Sequence, residues 1–145
     1  SDLFSKMFGL AGLRVGFAVL SDIYADYLQR VKLPFSVNIL AEKAGIAALK
    51  DRFFYDQTLK TVCAGREFLS SELKKLGCKV FPSRANFLMF APPEDALEVF
   101  DGLLKRGVII RPLKSYGLKE YLRVSIGTEE ENKAFIDELR EILNG

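Results

Sequence analysis

The chain has 145 residues, enough for one compact domain or one and a fraction. Lys and Arg number 21 against 19 Asp and Glu, and the resulting charge of +2 is too balanced to suggest nucleic acid or an anionic membrane as the main partner. Histidine is absent, which removes Ser–His and Cys–His nucleophilic catalysis and most transition-metal sites, so no metal centre is expected and Lys, Asp, Glu, Tyr, Ser or a cofactor must carry any chemistry.

In chain order, Phe8-Gly9-Leu10-Ala11-Gly12-Leu13-Arg14 reads as a loop with turns. Val15–Leu20 is a continuous apolar run and predicts a strand buried on both faces. Ser21-Asp22 offers an N-cap for a helix to about Val31, which Pro34 separates from a second helix capped by Ser36 or Asn38 and ending near Leu49. A long helix follows over about Phe53–Leu76, with Leu59, Val62, Leu69, Leu73 and Leu76 on one face and Gly77 as its stop. Short strands are predicted at Lys79–Phe81 and Asn86–Phe90. Pro92-Pro93 and Glu94 open a helix to about Arg106, with Leu97, Phe100 and Leu104 inward. Val108–Ile110 and Leu122–Ile126 read as strands, and Thr128-Glu129-Glu130-Glu131 as a capping box for the last helix, with Phe135, Leu139 and Ile142 facing in.

The order α-β-β-α-β-β-α from about Phe53 onward predicts a two-layer α/β domain. Cys63 and Cys78 read as small buried hydrophobes in a reducing compartment rather than as a disulfide. No run approaches the roughly 18 apolar residues of a membrane span, and no leader pattern opens the chain, so the expectation is a cytosolic protein with no membrane partner.

The chemistry concentrates in Ser5-Lys6-Met7-Phe8-Gly9-Leu10-Ala11-Gly12-Leu13-Arg14-Val15-Gly16. Lysine is the side chain able to form a Schiff base with an aldehyde, arginine offers a bidentate fork to a phosphate, and glycines let backbone approach an anion. The same residue types also suit a surface lysine and a salt-bridging arginine on a turn. Farther on, Arg111 and Arg123 lie on predicted strand ends, where pairing with Glu94, Glu98 or another acid is the ordinary alternative to ligand binding.

That first stretch resembles the cofactor-lysine motif of the fold-type I pyridoxal-phosphate-dependent aminotransferases, Ser-Lys-x-Phe-Gly-Leu-Ala-Gly-Leu-Arg-x-Gly followed by Tyr or Phe, most closely as the histidinol-phosphate branch carries it. Arg84-Ala85-Asn86-Phe87, Arg106–Pro112, Tyr116-Gly117-Leu118 and Leu122–Asn132 resemble later motifs of that branch, so the likeness runs from Ser5 to the C-terminus. The resemblance implies that residues 1–52 are the end of a large cofactor domain with connecting helices and that 53–145 form the small α/β domain. It implies Lys6 as the catalytic lysine holding pyridoxal 5'-phosphate, Ser5 and Arg14 as residues gripping the cofactor phosphate, and Arg111 and Arg123 as residues meeting the substrate's anionic groups. Lys6 would act as a base once neutral, a state that burial and the nearby Arg14 would favour. The implied reaction is amino transfer from histidinol phosphate to 2-oxoglutarate by a homodimer, in histidine biosynthesis.

The match departs from the family before Ser5, where Asp2-Leu3 replaces Arg-Thr and a phosphate-holding threonine gives way to Leu3. Family members are more than twice this length, so the expectation is a fragment, inactive alone, that hides bare apolar faces by rearrangement, swapping or self-association. Threonine-phosphate decarboxylase and aromatic aminotransferases share Lys6 and Arg14, and a non-catalytic module with the same fold is the alternative from another class.

Overall fold

A computed structural model describes residues 3–144. The chain divides into two compact units, Ser1–Leu59 and Lys60–Gly145.

The first unit is helical. It holds α1 (Leu3–Lys6), a 3-10 turn at Ala11–Leu13, α2 (Asp22–Val31), α3 (Ile39–Lys50) and the start of α4 (Arg52–Lys75). Asn38 is the cap of α3: its side-chain oxygen accepts from the Ala41 N–H at 2.8 Å, and its Nδ2 donates to the Leu13 carbonyl at 3.2 Å. One side chain thus starts a helix and ties down the glycine loop. The buried centre is aromatic. Phe4, Phe8 and Ala41 are buried, the Phe4 ring lies over Gly45, and Phe4 meets Phe8 and Phe17 with ring centroids 5.7 Å apart in each case.

The strand predicted over Val15–Leu20 does not form. Among the described residues no strand pairs with this run, and Phe17, Val19 and Leu20 are exposed. An apolar run becomes a strand only when neighbours take up its backbone N–H and C=O groups. No residue of α2 is buried, and Ile23, Tyr27 and Val31 along it are all more than 60% exposed, at 69%, 61% and 75%.

The second unit holds the rest of α4, then β1 (Lys79–Val80), β2 (Phe87–Ala91), α5 (Ala96–Lys105), β3 (Arg111–Pro112), β4 (Leu122–Ser125) and α6 (Glu129–Asn144). The order is the predicted α-β-β-α-β-β-α. The strands form one antiparallel sheet, β1-β2-β4-β3. The pairs Leu88–Val124 and Phe90–Leu122 fix its register. The two-residue alternation therefore turns Leu88, Phe90, Leu122 and Val124 inward and leaves Phe87, Met89, Arg123 and Ser125 on the opposite face. Leu69 and Leu73 of α4, Val99 and Leu103 of α5, and Phe135, Ile136 and Leu139 of α6 complete the core on the inward face.

Three details differ from the sequence reading. The cap of α5 is Asp95, whose carboxylate accepts from Leu97 N and Glu98 N at 2.8 and 3.1 Å; Pro92, Pro93 and Glu94 lie before it. The buried stripe of α5 is Ala96, Val99 and Leu103, with Leu104 exposed, because the helix carries two adjacent apolar stripes and the sheet selects one. Val108–Ile110 is not a strand. These residues stand across an open cleft of about 390 Å³ from the end of β4 and the start of α6, and the ladder begins only at Arg111.

Local signals act as read. Gly77 takes φ +79° after α4, and Thr128 and Glu131 exchange the capping-box hydrogen bonds at 2.7 and 3.3 Å. Both cysteines are free, and burial pushes the Cys78 thiol up from 9.0 to about 11, which keeps it a poor nucleophile at neutral pH. Among the described residues no helix is long and apolar enough to cross a membrane.

In the second unit α4 passes close to the turn into α6 at Gly65. A Cβ there would lie 2.6 Å from Ile126 Cγ2 and 2.7 Å from Nδ2 of the buried Asn132. Asn132 in turn accepts from Gly127 N at 3.0 Å and donates to Gly127 O at 3.1 Å, which holds the turn into α6. Gly65→Ala should therefore lower stability by about 1–3 kcal/mol, read as an earlier denaturant midpoint; an unchanged midpoint would show that α4 does not pack this closely. The exposed apolar residues of α2 should make the purified chain enhance a hydrophobic dye and associate with rising concentration. Sedimentation as a monomer at high concentration without dye enhancement would contradict this.

Candidate functional site

The site residues read from the sequence fall into two groups, one in each unit. Ser5, Lys6 and Arg14 share a single folded-back segment of the first unit. Phe4 is pinned in the aromatic centre, and its carbonyl accepts from Leu10 N at 2.9 Å, which brings the glycine loop back to α1. Ser5 is half-buried, and Lys6, the last residue of α1, is exposed. The burial expected around Lys6 is thus not supplied by the described residues.

Arg14 closes the 3-10 turn in the left-handed region, with φ +54°, a conformation that favours glycine and is uncommon for an arginine. Its Nη1 donates to the Ala11 carbonyl at 2.8 Å, and its backbone N–H bonds the same oxygen at 3.4 Å. The guanidinium is exposed, and among the described residues it forms no ion pair with a carboxylate. Backbone conformation and the bond to the Ala11 carbonyl hold it. An amine, a hydroxyl and an exposed guanidinium on one segment suit a small molecule that carries both an aldehyde and a phosphate.

Arg111 and Arg123 come together in the second unit. They are directly opposite in the β3–β4 register, so their side chains rise from the same sheet face. Like charges so placed repel. Among the described residues neither forms an ion pair with a carboxylate, whereas Arg30, Arg106 and Arg140 all do. Among the described residues, the pairing of either arginine with Glu94, Glu98 or another acid is therefore absent.

Aromatic rings take the place of acids. The Arg123 guanidinium lies 5.0 Å from the Phe87 ring centroid, and that of Arg111 lies 5.5 Å from the Tyr116 ring. Nη2 of Arg111 also donates to the Tyr116 hydroxyl at 3.1 Å. Nε of Arg123 is buried with no hydrogen-bond partner. An unsatisfied buried donor on a cation is costly, and a hydrogen-bond acceptor, best an anionic one, would relieve it.

Phe87 and Tyr116 lie inside the longer sequence motifs, where nothing in the residues themselves marks a role for either. The signal for Phe87 was its place two residues from Met89, the register partner of Arg123, which makes the ring a diagonal neighbour on the same face. That relation appears only once the register is known.

Residues 4–139 match the family described as aminotransferase class I and II. The chain is 59% identical over 140 residues to a histidinol-phosphate aminotransferase of Nitratidesulfovibrio vulgaris, covering 97% of this chain and 38% of that protein. Among solved structures it superposes on the histidinol-phosphate aminotransferase of Clostridium acetobutylicum with TM-score 0.89 at 28% identity, over 97% of this chain and 44% of the other. It also superposes on that of Sinorhizobium meliloti, solved in complex with pyridoxal-5'-phosphate, with TM-score 0.85 at 25% identity, over 97% and 40%. The chain spans about two-fifths of the length of such relatives. With the family match running through both arginine-bearing strands and reaching back to the residue before Ser5, the chain belongs to the class I and II aminotransferases.

Proposed function

We propose that this chain supplies the cofactor lysine and the substrate-anion arginines of an aminotransferase that moves the amino group of histidinol phosphate to 2-oxoglutarate, in histidine biosynthesis. The observation that carries this reading is the facing pair Arg111 and Arg123, without a carboxylate partner among the described residues, with the Nε of Arg123 buried and unsatisfied. Identity of 59% to a protein named for that activity supports the choice of substrate over the phosphothreonine decarboxylases and aromatic aminotransferases.

Lys6, Ser5 and Arg14 would hold pyridoxal phosphate. When bound, that group supplies an aldehyde for condensation with an amine and an aromatic ring that draws electrons from the carbon being deprotonated. Ser5 and Arg14 would bind its phosphate, the arginine by its planar fork. Nζ of Lys6 would take a proton from the substrate carbon and return it, which requires the neutral amine. Arg111 and Arg123 would orient the substrate through its anionic groups. The whole enzyme would be a cytosolic homodimer with phosphorylated amino and 2-oxo acid substrates, and residues 1–52 and 53–145 would be the end of its large domain and its small domain.

Because Lys6 is exposed and the chain spans about two-fifths of its relatives, the 145-residue chain alone should neither turn over substrate nor retain the cofactor. A stable cofactor absorbance band after gel filtration, lost in Lys6→Ala, would contradict this. Joining the chain to the preceding portion of the Nitratidesulfovibrio vulgaris relative should restore turnover of histidinol phosphate. Lys6→Ala in that chimera should lose at least about 1,000-fold, of the order of a nucleophile and general base together. Turnover of phosphothreonine in preference to histidinol phosphate would overturn the substrate assignment.

A further inference from the structure

We propose that Tyr116 is the positioning residue for Arg111, holding its guanidinium beside Arg123 so that the two present a preformed anion clamp. This rests on the reading of the two arginines as substrate-anion residues and adds to it what keeps them in place.

The need for such a residue follows from the register. Arg111 and Arg123 face each other across β3 and β4, and among the described residues neither forms an ion pair with an acid. Two flexible cations in that arrangement gain by swinging apart into water. Arg123 is half-buried, stacked near Phe87, and has limited freedom. Arg111 is exposed and has no such confinement. Its side-chain hydrogen bond is to Tyr116, reinforced by the approach of the guanidinium to the ring.

Tyr116 is itself built into place. The β3–β4 connection folds into a 3-10 turn, Lys114–Tyr116, with Tyr116 N bonded to Leu113 O at 2.9 Å and Leu118 N to the same oxygen at 3.2 Å. Gly117 takes φ +79°, which lets the chain reverse and start back toward β4. Leu113, buried, is anchored by its own N–H to Tyr121 O at 3.0 Å. The turn thus returns the phenol to the strand it has just left, five residues after Arg111. The hydroxyl accepts one guanidinium N–H and keeps its own hydrogen, so the remaining Arg111 donors and the phenol O–H stay available to an anion.

The test is an inorganic phosphate titration of the 15N-labelled 145-residue chain, following the Nε–H resonances of Arg111 and Arg123. Wild type should show saturable shifts at both, and Arg111→Ala should abolish the response at Arg123. Tyr116→Phe, which keeps the ring and loses the hydroxyl, should weaken phosphate by about threefold, and Tyr116→Ala by about tenfold. Both should broaden or shift the Arg111 Nε–H signal before any phosphate is added, a change that loss of general stability would not confine to that residue. If Arg111→Ala loses binding while both Tyr116 variants bind as wild type with an unmoved Arg111 signal, the positioning role is overturned and the anion site stands. If neither arginine responds to phosphate in wild type, the anion site fails and the positioning role fails with it.

Discussion

Two guanidinium groups on facing positions of adjacent strands, without an ion-pair partner among the described residues, are the constraint around which the second unit makes sense. The arrangement opposes folding, since like charges across a ladder repel. It persists because the inward face of the same strands is committed elsewhere. Leu122 and Val124 are locked against Phe90 and Leu88, and a one-residue slip of β4 would bury Arg123 and expose both apolar side chains. Burying each of those side chains contributes about 1.5–3 kcal/mol, whereas a like-charge pair directly opposite on a sheet face costs on the order of 1 kcal/mol. The core therefore sets the register, and the register sets the arginines.

Aromatic residues then moderate the electrostatics. Phe87 and Tyr116 offer ring faces where an acid would have neutralised the cations. The difference is functional. A carboxylate would compete with an incoming anion for the same donors, while a ring face attracts the guanidinium and leaves its N–H groups free. The first unit solves a related problem differently, by folding Arg14 into a left-handed turn and bonding it to a backbone carbonyl.

How much of this was legible in the sequence depended on the range of the interaction. Thr128 to Glu131 and the stop at Gly77 involve residues a few positions apart and follow from composition and spacing, whereas the cap of α3 was legible only as Ser36 or Asn38, between which the structure selects Asn38. The order of helices and strands in the second unit was readable for the same reason. Val15–Leu20 was not, because β-branched and apolar side chains show only that a run would accept strand neighbours, never that neighbours exist. The face of α5 was ambiguous: Leu97, Phe100 and Leu104 and the stripe Ala96, Val99 and Leu103 have the same period, and only the sheet distinguishes them. At the site, Ser5, Lys6 and Arg14 stood out as one motif, and Arg111 and Arg123 as members of two others. What could not be read was that the last two face each other, since a register is a relation between distant segments.

Asn38 joins two of these local features into one. Its oxygen starts α3 and its nitrogen holds the Leu13 carbonyl, so the loop between Lys6 and Arg14 and the first turn of α3 share a single planar amide. Free energies assigned separately to loop and helix would count that amide twice. Substitutions in the two segments, though some 25 residues apart in sequence, are therefore coupled thermodynamically and do not sum.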